Sequence, residues 1–447
     1  MDDMTAREIA LKEDAKALDK PSFTASGEEV VFALMSFIIG WLYAKMLFPF
    51  TSYGSYYRAY YLLPLTALLV FTVEYLNRNV KRSAESVVIL CGFLVNSLAL
   101  SFHELWRHVG VFPQPYQYDG IWDDGQILLF IHIFFVWYVL SRRGMLLDGE
   151  TSHLLPMDMT NGFILVPMGN IFLRVRTLIF GVKDTFGNQD KEKKAFPWTS
   201  TIAVLASLCL LVPAVSLLMQ ADETYDRLFR NFADIFSFEI DDMFMFTLVF
   251  SIPVGAWLWG LMGGSLRFTD EKKESQRSFI LSSLDSLKKV PSSVWTAVIT
   301  VFSIFYLLFF AIQGKYLFSA FFGKLPDGFI LSEYARRGFF ELCKVTALNF
   351  FLLWMATRSA NKDSKFFKTG CIAFLLENML FALVAISKLA LYIKGFGITP
   401  LRIQSSWFAA VLFAGCAFWI YSLLTEKKAF KYWIYFGAIT LCIMSVF

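Results

Sequence analysis

Residues Ser293–Ile312 read SVWTAVITVFSIFYLLFFAI, an unbroken apolar run with no charged side chain. A helix of about 20 such residues crosses the roughly 30 Å hydrocarbon core of a bilayer. A helix apolar on every side also has no face to turn toward water. The run therefore predicts a membrane span, and the rest of the chain agrees. Over 447 residues, 56% are hydrophobic, 18% aromatic and only 17% charged, where soluble domains carry about 25% charge. The 49 phenylalanines and 12 tryptophans are more apolar surface than soluble domains of this length can hide. A soluble enzyme, a secreted disulfide module and a disordered chain are excluded. Cys91, Cys209, Cys343, Cys371, Cys416 and Cys442 lie in or beside apolar runs without a C-x-x-C pair, so they read as small packing residues.

Outward from that run, apolar segments recur at Val30–Phe48, Tyr60–Tyr75, Ala84–Phe102, Gln126–Ser141, Trp198–Met219, Met243–Met262, Gly338–Thr357, Thr369–Tyr392, Ser405–Leu424 and Tyr432–Phe447. The expected fold class is an all-α integral membrane protein with about 11 transmembrane helices plus interfacial amphipathic helices. Its expected parts are a cytoplasmic segment over 1–29, a four-span bundle over 30–141, an interfacial loop over 142–197 and a seven-span bundle over 198–447. The first 29 residues hold eight acids and no cleavage site, so the first span is expected to stay as a signal anchor.

The basic residues test that count. Alternate loops starting from the N-terminus hold 28 Lys and Arg, and the intervening loops hold 10. Retained positive charge marks the cytoplasmic side, so the expectation is a bacterial cytoplasmic (inner) membrane, with the N-terminus cytoplasmic and the C-terminus external. The net charge of +4 is too small for the concentrated basic face of a nucleic-acid binder. The partners expected are the lipid bilayer and a small solute, an ion or another membrane protein. Within the longest basic loop, Asn161–Val182 is apolar but interrupted by Pro167, Gly169, Asn170, Arg174 and Arg176. It reads as a helix in the headgroup plane, with a re-entrant segment as the alternative.

Chemistry-bearing residues are few. His103, Glu104, His108 and Asp123 are weak metal candidates near the end of the third span. HELWRH places Arg107 where H-E-x-x-H requires its second histidine. His132 reads as a hydrogen-bonded interior histidine. There is no Gly-rich phosphate loop and no nucleophile elbow, and no cofactor is expected. Ionisable residues inside spans eight and nine matter more, because such groups are costly in lipid and tend to face a cavity or a partner. Glu333, Arg337, Glu341 and Lys344 share one helical face, and Glu377, Asn378 and Lys388 share another. If the two spans are antiparallel neighbours, depth pairs Glu341 with Lys388 and Glu377 with Asn349, giving a polar seam that either fastens the helices or lines a cavity.

Four stretches add a resemblance: Leu218–Phe229 (LMQADETYDRLF), Tyr306–Phe318 (YLLFFAIQGKYLF), Ser332–Leu342 (SEYARRGFFEL) and Leu391–Arg402 (LYIKGFGITPLR). Over about Pro213–Thr425 the chain resembles an uncharacterised family of bacterial polytopic membrane proteins, classed as a domain of unknown function. The resemblance implies an outer cluster of Asp222, Gln313, Tyr316, Glu333, Tyr334, Arg336, Tyr392, Thr399 and Arg402, together with Gly338, Glu341 and Gly397, and Arg337 joins that cluster from its place on the α-helical face of Glu333. Ile398, where the family pattern has Leu, and a longer acidic stretch after Asp222 are departures. Solute or ion transport through the seam is the leading functional expectation. A non-enzymatic sensor or accessory subunit is the alternative, and a membrane-embedded metal-dependent enzyme is the third.

Overall fold

The computed structural model describes residues 23–47, 58–109, 121–186, 242–286, 291–325, 328, 330–359 and 365–447. We number its helices α1 (Gly27–Leu47), α2 (Arg58–Leu76), α3 (Ala84–Val109), α4 (Asp124–Arg143), α5 (Leu155–Gly169), α6 (Leu173–Phe186), α7 (Asp242–Leu266), α8 (Asp270–Ser286), α9 (Ser292–Phe318), α10 (Leu331–Ser359), α11 (Lys365–Phe396), α12 (Pro400–Thr425) and α13 (Phe430–Val446). No strand occurs among the described residues. Eight helices are long and apolar enough to cross a membrane: α1, α3, α4, α7, α9, α10, α11 and α12. The expected second and eleventh spans are shorter apolar helices, Tyr61–Leu76 and Phe430–Val446, and the expected span Trp198–Met219 lies outside the described residues. The structure thus shows a multi-span helical protein, with eight helices of spanning length among the described residues.

The chain divides into two compact units. In the first, α1 opens on a capping box, with the Ser26 and Glu29 side chains each accepting the other's backbone N–H at 3.2 and 3.0 Å. Without a hydrophobic force between helices in lipid, close approach depends on small residues. Ser36-x-x-x-Gly40 on α1 meets Ser251-x-x-x-Gly255 on α7. A Cβ at Gly40 would lie 2.6 Å from the Ser251 carbonyl, and one at Gly255 would lie 2.6 Å from the Ser36 carbonyl. Arg174 of α6, 4% exposed, closes the crossing. Its Nη2 donates to the Ile252 carbonyl at 2.8 Å, and the guanidinium lies 4.0 Å from the Phe37 ring centroid.

The same contacts bear on the 161–182 segment, expected either in the headgroup plane or as a re-entrant segment. α6 runs antiparallel along α1, with Gly181 against Val30 and Arg174 against Phe37. Phe37 is ten residues into α1, roughly 15 Å along its axis at 1.5 Å per residue. Leu155–Gly169 and Leu173–Gly181 form a pair bent by 49°, and together they are apolar enough to count as one broken span.

In the second unit, the loops expected on one side of the membrane meet at one end. Arg142, 3% exposed, donates to the Asn77 and Val80 carbonyls at 2.7 and 3.0 Å. Its neighbour Arg143 donates to Ser265 and Leu266 at 3.2 and 3.1 Å. Orphan carbonyls at a helix end attract cations, which accounts for two adjacent arginines in the last turn of α4. At the same end Lys431 reaches Glu150 at 2.6 Å and Glu85 at 3.8 Å, Lys368 reaches Glu426 at 3.8 Å, and Arg277 reaches Asp148 at 3.3 Å. Burial pushes the Asp148 carboxyl up. Hydrogen bonds from Ser152 and Arg277 and the nearby charges of His153 and Lys428 outweigh that effect, holding it below its ordinary value.

The opposite end gathers the other set of loops. Gln404 donates to the Ile121 carbonyl at 2.6 Å and to Gln126 at 3.0 Å, and His103 Nε2 lies 3.5 Å from the Val446 carbonyl. α13 is held by polar contacts along its length: Trp433 to Val411, Trp407 to Thr440 and Ser445 to Asn96, at 2.8, 2.9 and 2.9 Å. The five described cysteines are free thiols; Cys371 and Cys416 are buried, Cys343 and Cys442 half-buried and Cys91 exposed.

Candidate functional site

α9, α10 and α12 pack around α11. α11 carries Lys388, which is 1% exposed. A lysine buried this deeply needs its charge stabilised, and aromatic faces do it here. The ammonium lies 4.2 Å from the Tyr316 ring centroid and 4.3 Å from that of Tyr334, where a desolvated cation–π contact contributes about 2 kcal/mol. The two rings stand edge to face at 5.1 Å and 89°. The Tyr334 hydroxyl donates to the Tyr316 carbonyl at 2.7 Å and lies 3.0 Å from Ser319 Oγ. Gly338 leaves the room the ammonium occupies, since a Cβ there would sit 2.7 Å from Lys388 Nζ. Among the described residues, no hydrogen-bond acceptor reaches Nζ.

The ammonium borders a cavity of about 230 Å³ whose walls include Phe305, Tyr306, Phe309, Phe381 and Glu341. Glu341 is exposed at its rim and acts on Lys388 electrostatically. Tyr306 links the cavity to a deeper knot. Its hydroxyl donates to Asn349 Oδ1 at 2.7 Å, Asn349 Nδ2 donates to Asn378 Oδ1 at 2.8 Å, and Asn378 Nδ2 donates to the Phe374 carbonyl at 2.7 Å. Both asparagines are fully buried. Asn349 therefore pairs with Asn378 rather than with Glu377. Glu377 instead faces Ser303 of α9, and its Oε2 is buried without a hydrogen-bond partner among the described residues.

The remaining expected residues separate. Glu333, Glu341 and Lys344 are exposed, and of the three it is Glu341 that lines the cavity. On α10, Lys388 meets the Tyr334 ring and the space left by Gly338, one helical turn apart. Within the outer cluster, Tyr316 and Tyr334 belong to the lysine cage, while Gln313 and Arg336 are exposed. Asp222 and the Arg337 side chain lie outside the described residues. Arg402 closes the α11–α12 turn: its Nη1 donates to the Phe396 carbonyl at 2.9 Å and to that of Gly397, beneath the Tyr392 ring at 4.2 Å. Gly397, at φ +79°, takes the left-handed conformation the turn requires, and Thr399 occupies the N-cap position of α12 without a side-chain cap bond. Among the described residues the cluster thus supplies a lysine cage and a turn lock.

The metal candidates are differently employed. Asp123 caps α4 in a reciprocal pair with Gln126, at 2.9 and 3.1 Å. His103 approaches the C-terminus of α13, and the Glu104 and His108 side chains lie outside the described residues. Among the described residues no three His, Cys, Asp or Glu side chains come together. His132 Nδ1 contacts the Leu128 carbonyl at 2.6 Å, as an interior histidine does.

The sequence reading missed the role of Arg174 and the α1–α7 crossing. The signal was present in the paired Ser-x-x-x-Gly strings, which mark close helix approach.

These features define a polytopic α-helical membrane protein with a buried cation bordering an apolar cavity. Residues 118–447 match the family described as Domain of unknown function (DUF4153), and the chain belongs to that family. The match starts before α4, well ahead of the stretch whose motifs carried the resemblance. No curated protein and no solved structure matches the chain.

Proposed function

We propose that the chain is a carrier of the bacterial cytoplasmic membrane that binds a solute or ion in the polar seam of α9, α10 and α11. The observation that carries this reading is Lys388, a fully buried cation bordering a cavity. Ionisable groups inside a bilayer are costly and mark substrate or ion pathways. The polar groups continue inward from it. Lys388 is eight residues from the end of α11, roughly 12 Å, and Asn378 is ten residues deeper, roughly a further 15 Å. Beyond the Tyr306–Asn349–Asn378 knot lies Glu377. The 28-to-10 bias of basic residues supports a cytoplasmic loop end, which puts the Lys388 cavity in the outer half of the bilayer.

The knot itself favours a second reading, a sensor or accessory subunit that binds without passing its ligand, because closed hydrogen bonds can simply fasten helices. Proteoliposomes loaded with a pH-sensitive dye separate the two. We expect the wild-type chain to dissipate an imposed pH gradient, and Glu377→Gln to slow it at least tenfold while elution and thermal midpoint stay unchanged. A wild-type rate equal to that of empty vesicles, or an unaltered rate in a folded Glu377→Gln, removes the carrier reading.

A further inference from the structure

We infer that the cavity beside Lys388 takes an amphipathic anion, an apolar chain ending in a single carboxylate or phosphate, and that the ligand enters from the bilayer rather than from water. The inference rests on reading the cavity as a ligand site and names the ligand's chemical class. Three observations carry it. The first is the ammonium. Lys388 is 1% exposed, and among the described residues no hydrogen-bond acceptor reaches its Nζ, which borders the cavity. Tyrosine faces stabilise a cation but accept none of its N–H groups in the plane where a carboxylate or phosphate oxygen would. A charge-assisted bond to an incoming anion is therefore the interaction the site lacks.

The second is the wall. Phe305, Phe309 and Phe381 make the cavity a slot for a hydrocarbon chain, not for a hydrated solute. The third is the mouth. Phe305, a wall residue, is 64% exposed on the same helix as Ile304, Leu308 and Ile312, which are 53%, 55% and 77% exposed. α9 presents that apolar face outward over its whole length, which suits lipid contact. A ligand reaching Lys388 past Phe305 therefore comes from the acyl region. Glu341, the acid on the rim, attracts Lys388 electrostatically. An anionic head competes with it, so removing the Glu341 charge should favour binding.

Radiolabelled oleate, titrated onto the full chain in a neutral detergent and read by scintillation proximity, tests this. The wild type should bind saturably, with dodecyl phosphate competing, whereas oleyl alcohol, acetate and inorganic phosphate should not. Lys388→Met should weaken oleate at least tenfold, the expected effect of losing one charge-assisted bond. Glu341→Gln should tighten it severalfold. If Lys388→Met does not fold, Gly338→Ala serves, because its new Cβ displaces only the flexible end of Lys388; it should weaken oleate while leaving the thermal midpoint unchanged. Competition by inorganic phosphate or acetate would overturn entry from the bilayer. Equal competition by oleyl alcohol would overturn the anionic head, and weaker binding in Glu341→Gln would point instead to a zwitterionic head. Oleate binding without any vesicle flux would leave this inference standing and remove the carrier reading; flux that needs Glu377, without oleate binding, would do the reverse.

Discussion

Arg142→Met is expected to cost the fold about 3 kcal/mol, the combined contribution of two hydrogen bonds from a buried charged donor. Arg142 is 3% exposed and holds the carbonyls of Asn77 and Val80. The Asn77 carbonyl keeps the Val80 N–H at 2.9 Å, so the Val80 carbonyl is the one left facing an apolar side chain. A methionine fills the same space but donates nothing, so desolvation of that group goes unanswered. Arg142→Lys keeps the positive charge but not the fork that reaches two acceptors at once, and it should lose about half as much. Thermal unfolding of the full chain in detergent reads the difference. The order should be wild type, then Arg142→Lys, then Arg142→Met; equal midpoints for all three would mean that Arg142 is not what joins these segments.

Gly255→Leu is expected to have an effect at least as large, by a different route. At this position the obstruction is backbone: a Cβ would meet the Ser36 carbonyl at 2.6 Å as well as Arg174 Nη1 at 2.6 Å. Backbone cannot rotate aside as a side chain does, so α1 and α7 must separate. Overpacking by a methylene or two already costs about 1–3 kcal/mol. Separation would also break the 2.8 Å bond from Arg174 to the Ile252 carbonyl and strand a buried guanidinium. Gly255→Ala should lower the thermal midpoint, and Gly255→Leu should fail to yield monodisperse protein. Gly314→Ala is the matched control, because its Cβ would meet only Phe318, at an ordinary 3.7 Å. It removes a helix-interior glycine, a gain of up to about 1 kcal/mol, so its midpoint should hold or rise.

The spans were legible in the sequence because bilayer thickness imposes a length that apolar runs must meet. The grouping of loops was legible because alternate loops of a spanning chain share an end, and the contacts of Arg142, Arg143, Lys368 and Lys431 bear that grouping out. Counting residues along two antiparallel helices put Glu341 and Lys388 at one depth, and both line the cavity. The direction of the charged stripe on α10 was not legible. Spacing places Glu333, Glu341 and Lys344 on one face but does not say whether that face looks inward. The reading assumed that a buried lysine would be met by carboxylates, and here two tyrosine rings and a glycine meet it. Arg174 was misread for a related reason. In the sequence it interrupts an apolar segment, and only a neighbouring carbonyl and the Phe37 ring make it affordable at depth. Small-residue strings announce that some helix comes close, yet they do not identify which one.

The central claim is that Lys388 borders an accessible internal cavity rather than a dry helix contact. The most direct measurement exposes the membrane-embedded full chain to two amine-reactive esters, one apolar and partitioning into lipid, the other sulfonated and confined to water, with peptide mass spectrometry as the readout. The account predicts that the apolar reagent modifies Lys388 and that oleate protects it, while the sulfonated reagent modifies exposed lysines such as Lys394 and spares Lys388. Lys388 left unmodified by both reagents, under conditions that saturate Lys394, would contradict it.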